Sequence, residues 1–119
     1  MNGVTGGSLT THVLDTANGR PAAGVRLELF RLAPSGEREL LKTDRTNADG
    51  RTDEPLVPPG GLERGKYEIF FYIGEYFVNK EHTPFLDEVP VRFGVEEEGA
   101  HYHVPLLVSP GAYSTYRGS

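Results

Sequence analysis

An antiparallel β-sandwich is the fold class the sequence predicts, and three observations carry that prediction. Fifteen glycines and nine prolines punctuate the 119 residues at short intervals, the rhythm of strands and turns rather than of long helices. Val25, Leu27 and Leu29 alternate with Arg26 and Glu28, the period of a half-buried strand. The run Lys66 to Ile73 is rich in aromatic and β-branched residues, which suit a pleated surface. Seven to eight short strands and one short helix follow from this spacing, enough for two packed sheets.

Taken in order, residues 1–8 are Gly-rich and polar and read as a flexible tail, leaving 9–119 as a single domain. Leu9 to Leu14 is a first strand, with Thr10, His12 and Leu14 on one face and Leu9, Thr11 and Val13 on the other. Asp15 to Pro21 is a turn in which Asn18-Gly19 tolerates positive φ. The second strand runs from Val25 to Leu32, Pro34-Ser35-Gly36 turns the chain, and Leu40 to Thr43 forms a short third strand. Thr46-Asn47-Ala48-Asp49-Gly50 is a turn that delivers Arg51. Three prolines and three glycines make Pro55 to Gly65 irregular. The strand Lys66 to Ile73 stops at Gly74, and Glu75 to Lys80 forms one or two helical turns. Val89 to Val95, His101 to Ser109 and Ala112 to Arg117 complete the strands. Pro105 cannot donate to a ladder, which places a bulge or an edge there.

Composition narrows the function. The chain has no cysteine, which removes disulfide frameworks and thiolate metal or redox sites. A net charge of −5 opposes nonspecific nucleic-acid binding, which needs a basic footprint. No apolar run reaches the ~18–20 residues of a membrane span, and the first residues lack a secretory signal pattern. A cytoplasmic enzyme or binding module is the expectation. Gly-x-Ser-x-Gly elbows and phosphate-cradling glycine loops are absent.

Four features bear on chemistry. His12 lies on a strand, where a histidine is commonly a surface or hydrogen-bonded residue. Arg51 follows Gly50; turn arginines are mostly solvated, yet the planar fork matches carboxylate and ureide-like edges. His101 and His103 project from one strand face with Glu96, Glu97 and Glu98 nearby, half of a metal site by spacing alone, although His-x-His is a weak signal. The segment after them, Val104 to Val108, is apolar on both faces and suggests contact with a second subunit. Tyr113 to Ser119 keeps two tyrosines and an arginine to the last residues, either as an exposed edge strand or as ligand-binding groups.

Thr11-His12-Val13-Leu14-Asp15, Asn18 to Val25, Thr46 to Arg51 and His103 to Pro110 resemble the transthyretin (prealbumin) family. The resemblance covers nearly the whole chain from Leu9. The final Tyr116-Arg117-Gly118-Ser119 resembles the terminal signature of that family's enzymatic branch, the 5-hydroxyisourate hydrolases. Gly111-Ala112 departs locally, where the family usually has a bulky residue followed by glycine.

The resemblance implies a transthyretin-like sandwich that hydrolyses 5-hydroxyisourate, the product of urate oxidation, to 2-oxo-4-hydroxy-4-carboxy-5-ureidoimidazoline. Opening the ring at an amide-like bond needs activated water, oxyanion stabilisation and a proton for the leaving nitrogen. Carried over by position, His12 and His103 are the acid–base candidates, with the choice of base left open. Arg51 orients substrate with His12, Tyr116 and Arg117 bind it, and Ser119 joins His12, Arg51 and His103 in the catalytic set. No metal and no cofactor are implied, although His101 and His103 leave a metal physically open. The implied assembly is a homotetramer, a dimer of dimers that uses Leu106, Val108 and their neighbours, with no nucleic-acid or membrane partner. The alternative is a noncatalytic carrier of a small ligand built on the same sandwich.

Overall fold

Side-chain alternation along the first strand sets up the layers. In the computed structural model, which describes residues 6–78 and 83–119, β1 (Gly7–Asp15) buries Leu9, Thr11 and Val13 and leaves Thr10, His12 and Leu14 half-exposed on the opposite face. The strand begins at Gly7, so Gly7 and Ser8 belong to the sheet and not to a tail; residues 1–5 lie outside the described residues. A Cβ on Gly7 would collide with the Glu98 carbonyl and lie 2.8 Å from that of Ala100, which is why a glycine starts the strand.

Two sheets pack face to face. The first has the order β2 (Arg20–Pro21), β1, β8 (His101–Val108), β9 (Tyr113–Thr115), with β5 (Val57–Leu62) also paired to β1. The second is β4 (Arg38–Arg45), β3 (Arg26–Leu32), β6 (Gly65–Phe71), β7 (Val89–Val95). Leu9 and Val13 of β1 and Tyr102, Val104, Leu106 and Val108 of β8 face Leu27, Leu29, Ile69, Phe71 and Val89 across the core. Removing such side chains from water supplies the main drive for folding, about 25 cal/mol per Å² of apolar surface. Outside the core, Glu68 is buried and salt-bridged by Arg38 at 3.0 Å and Arg92 at 2.7 Å, which ties β4, β6 and β7 together.

The sandwich is not wholly antiparallel. β1 and β8 run parallel in unbroken register from Ser8↔His101 to Asp15↔Val108. Alternation gives a strand's faces but not the direction of its neighbour, and here the intervening strands form the long crossover a parallel pair requires.

Local differences have identifiable causes. The segment expected to be irregular holds β5, but it pairs only at Gly7↔Leu62 and Leu9↔Val57 with a register shift, so its prolines stay at a sheet edge. The helix α1 spans Ile73–Phe77, earlier than expected, because Val78 returns to extended backbone; residues 79–80 of the expected helix lie outside the described residues. Pro105 sits in an interior strand without a bulge. Its carbonyl accepts from the Thr115 hydroxyl, so its nitrogen faces the β9 side, just past the last paired residue Leu106, and no ladder bond is lost. Leu106 and Val108, expected at a subunit contact, are core residues at 1% and 0% exposure, whereas Leu107 lies half-buried on the outer face.

Candidate active site

The outer face of the β1–β8 pair gathers the candidate site residues. Parallel register puts Ser8 beside His101, Thr10 beside His103 and His12 beside Pro105, and paired residues share a face. The His101 and His103 rings stack with centroids 6.4 Å apart. Thr10 Oγ1 bonds His103 Nδ1 at 2.8 Å and His101 Nε2 at 3.2 Å, and Ser8 Oγ bonds His101 Nδ1 at 2.6 Å.

Arg51 reaches this face on a tightly organised turn. The Asn47 side-chain oxygen accepts from the Asp49 and Arg51 amides, the Gly50 amide donates to the Asn47 carbonyl, and the Asn47 amide donates to that of Arg51. Gly50 has φ +77°, and a Cβ there would collide with the Val13 carbonyl and lie 3.2 Å from His12 Cδ2. Only glycine lets the turn sit this close to β1. The Val13 amide donates to the Gly50 carbonyl at 2.7 Å, which locks the contact. The same turn orients His12: its Nε2–H donates to the Asp49 carbonyl at 2.9 Å, so in the neutral ring Nδ1 carries the lone pair.

The last residues close the arrangement. The Gly118 amide donates to the His103 carbonyl at 2.7 Å, and the two residues form an isolated antiparallel bridge. Ser119 is thereby placed in a cleft of about 400 Å³ with Thr10, Thr11, Arg51, Asp53, His101 and His103 on its walls. Thr52 and Pro55 complete the lining. The cleft is open and rimmed by donors and acceptors, dimensions that admit a small polar heterocycle.

Of the residues predicted from sequence, Arg51, His103 and Ser119 line the cleft, and His12 stands beside it on the Asp49–Gly50 turn. Tyr116 and Arg117 do not join them within one chain. They line a second, more apolar groove with Val91, Phe93, Tyr102 and Val104, where the Arg117 guanidinium lies 4.1 Å above the Tyr102 ring. Thr10 went unassigned in the sequence reading because a lone strand threonine carries no signal; its partners His101 and His103 are 91 and 93 positions away. Glu96 and Glu97 donate backbone amides to the Tyr102 hydroxyl. Among the described residues no group of three His, Asp or Glu side chains gathers as a metal site.

Electrostatics single out one imidazole. Burial first, and then the positive charges of Arg51, His101 and His12, hold His103 below the usual histidine range. Its neutral form is favoured at neutral pH, which suits proton abstraction.

Fold and cleft together define a transthyretin-type β-sandwich with a histidine–arginine site on its outer sheet face. The chain belongs to the HIUase/Transthyretin family, which it matches over residues 9–118. It is 56% identical over 117 residues to a 5-hydroxyisourate hydrolase of Halalkalibacterium halodurans, covering 95% of this chain and 98% of that one. Among solved structures it is similar to (S)-allantoin synthase, with TM-score 0.88 and 47% identity over 98% of this chain, and it spans 45% of that longer chain. It is also similar to transthyretin from Sparus aurata, with TM-score 0.84 and 30% identity, covering 93% of this chain and 96% of that one. Likeness to a transthyretin, to an (S)-allantoin synthase and to a hydrolase means that the fold alone does not select the activity.

Proposed function

We infer that this protein is a hydrolase that opens 5-hydroxyisourate to 2-oxo-4-hydroxy-4-carboxy-5-ureidoimidazoline. The observation that carries the reading is convergence: β1, the 47–51 turn, β8 and the final residues bring His12, Arg51, His103 and Ser119 to one cleft and its border. A ligand carrier has no need of two imidazoles and a guanidinium in that arrangement. The 56% identity to a hydrolase over nearly the full length of both chains supports the same conclusion.

In the reaction as we propose it, one water adds to the acyl carbon, the ring carbon–nitrogen bond breaks and the departing nitrogen takes a proton. One imidazole removes the water's proton and the other supplies the nitrogen's. His103, held neutral, is suited to the first role; His12, with Nε2–H anchored on Asp49, presents Nδ1 for the second once protonated. The Arg51 fork orients the substrate and balances the developing oxyanion. The Ser119 hydroxyl hydrogen-bonds the heterocycle. No cofactor enters this scheme.

The proposed assembly is a homotetramer, a dimer of dimers, with the outer face of β1 and β8 at the junction between dimers. Leu14 and Leu107 are paired neighbours on that face and form its apolar part. Tyr116 and Arg117 bind substrate in this reading only through such an assembly, since in one chain they line the other groove. The setting we propose is the cytoplasm, with no nucleic-acid or membrane partner; among the described residues no helix is long and apolar enough to cross a membrane.

The test is direct. Substrate is generated with a urate oxidase, and its decay is followed optically. Wild-type protein is expected to accelerate the decay, His12→Ala and His103→Ala to lower turnover about 100-fold or more, and Arg51→Lys to lower it as well. An unaccelerated decay, or normal turnover in all three folded variants, rejects the assignment.

A further inference from the structure

The ladder of hydroxyls and imidazoles on β1 and β8 contains more than the reaction at the cleft requires. Ser8 Oγ, His101 Nδ1, His101 Nε2, Thr10 Oγ1 and His103 Nδ1 follow one another with contacts of 2.6, 3.2 and 2.8 Å. Each ring nitrogen in the run meets a hydroxyl, and each hydroxyl can accept one hydrogen bond while donating another. With Nδ1 of His103 taken by Thr10, Nε2 is the nitrogen left for the cleft. His101 stands at the outer end and is exposed, whereas His103 is half-buried.

We propose that Thr10 and His101 form a proton relay that carries the proton captured by His103 out to solvent, with His101 as its exposed terminus. The proposal rests on the hydrolase reading and assigns residues that no part of that reading uses.

The relay balances proton by proton. His103 Nε2 takes a proton from the attacking water while its Nδ1 proton passes to Thr10 Oγ1. The original Thr10 hydroxyl proton passes to His101 Nε2, and the positive charge comes to rest on the exposed ring. His101 then releases a proton from Nδ1, through Ser8 or directly to water. Once product has left, water in the open cleft and at the exposed ring exchanges the His103 and His101 tautomers back and the Thr10 hydroxyl turns back, so each cycle delivers one proton to solvent. The gain lies in where the cation sits. Burial and the charges of Arg51 and His12 disfavour an imidazolium at His103, and the relay moves it one ring spacing outward, 6.4 Å between centroids. The register makes this possible: two residues along a strand is about 6.6 Å, so a hydroxyl on the neighbouring strand falls between the two rings. An antiparallel or slipped pairing would break the alternation.

Thr10 and His101 are therefore positioning and relay residues, and their test needs a readout that packing alone does not move. His101→Gln keeps an acceptor, its amide oxygen, toward Thr10 but cannot carry the proton; Thr10→Val keeps the β-branched shape and removes the hydroxyl; Thr10→Ser restores the hydroxyl. Turnover of 5-hydroxyisourate is measured in weak buffer at neutral pH, with and without added imidazole. The expected result is a kcat about tenfold lower for His101→Gln and Thr10→Val with KM within about twofold, smaller than the loss of a direct acid–base group. Thr10→Ser is expected within about twofold of wild type, and imidazole should restore His101→Gln along a saturating curve. Wild-type kcat in both His101→Gln and Thr10→Val, a loss confined to KM, or a fall that imidazole does not relieve overturns the relay while leaving the hydrolase reading intact. A wild-type protein without turnover overturns both.

Discussion

Gly118 approaches His103 so closely that a Cβ on the glycine would lie 2.6 Å from the imidazole Cδ2 and 3.2 Å from Cγ. The same approach lets the Gly118 amide donate to the His103 carbonyl at 2.7 Å. Steric access to a ring, rather than backbone freedom, is thus what the glycine supplies: it is absent from the positive-φ glycines. The bridge couples the position of Ser119 to that of the imidazole, so the tail and the candidate base are held as one unit.

Gly118→Ala is the sharpest probe of that coupling. The new methyl must push either the ring or the tail aside, and general acid–base work tolerates little displacement. Turnover is expected to fall about tenfold or more while the thermal midpoint moves by only a few degrees, since no core residue is touched. Steady-state kinetics alongside a melting curve check this, and unchanged kinetics would show that the close approach has no catalytic consequence.

Removing residues 117–119 tests the tail as a whole. The deletion takes away the Arg117–Tyr102 stacking and the His103–Gly118 bridge, worth on the order of 1 kcal/mol each. Most of the stability should remain and activity should collapse. A few residues appended after Ser119 should do similar damage by crowding the cleft. Equal rates in the truncated and intact proteins would strip Ser119 of its role.

The pH dependence follows from the depressed affinity of His103 for a proton. Its folded pKa lies below the ordinary ~6.5, chiefly through burial and then through Arg51, His101 and His12. If His103 is the base, the acid limb of kcat/KM, the fall in rate as pH is lowered, lies below ~6.5. Arg51→Gln removes one repelling charge and should move that acid limb partway up toward the ordinary value, on a lower plateau. The sign for stability agrees: between the folded pKa and ~6.5 the unfolded chain binds the proton that folded His103 does not, so stability declines as pH falls through that window. An acid limb at or above ~6.5 in the wild type would assign the base elsewhere.

Assembly can be probed at two adjacent leucines with opposite surroundings. Leu107→Asp places a carboxylate on the outer sheet face beside Leu14, and burying it at a subunit junction costs several kcal/mol. Light scattering is expected to report smaller species that remain folded. Leu106→Asp instead puts the charge in the core, where the side chain is 1% exposed, and should prevent folding. A wild-type monomer at micromolar concentration would contradict the tetramer outright.

Much of this protein was legible along the chain. Alternation assigned the faces of β1, so His12 and Thr10 point away from Leu9, Thr11 and Val13 as expected; glycine and proline marked the turns; and the run Val89–Val95 forms a strand with its expected bounds. These are local properties, decided by side-chain period and backbone sterics within a few residues. Resemblance to a family nominated His12, Arg51, His103 and Ser119, but it did not say how they meet. Tertiary structure decided the rest, because no local pattern encodes which strands become neighbours or in which direction they run. The parallel β1–β8 register set Thr10 between His101 and His103. Packing sent Leu106 and Val108 inward and left Leu107 outside. The stacking of Arg117 on Tyr102 drew that residue to a second groove while its neighbour Gly118 closed on His103. Each of those outcomes depends on contacts between segments far apart in the chain, where the free energy of burial and hydrogen bonding selects among pairings that local sequence leaves equal.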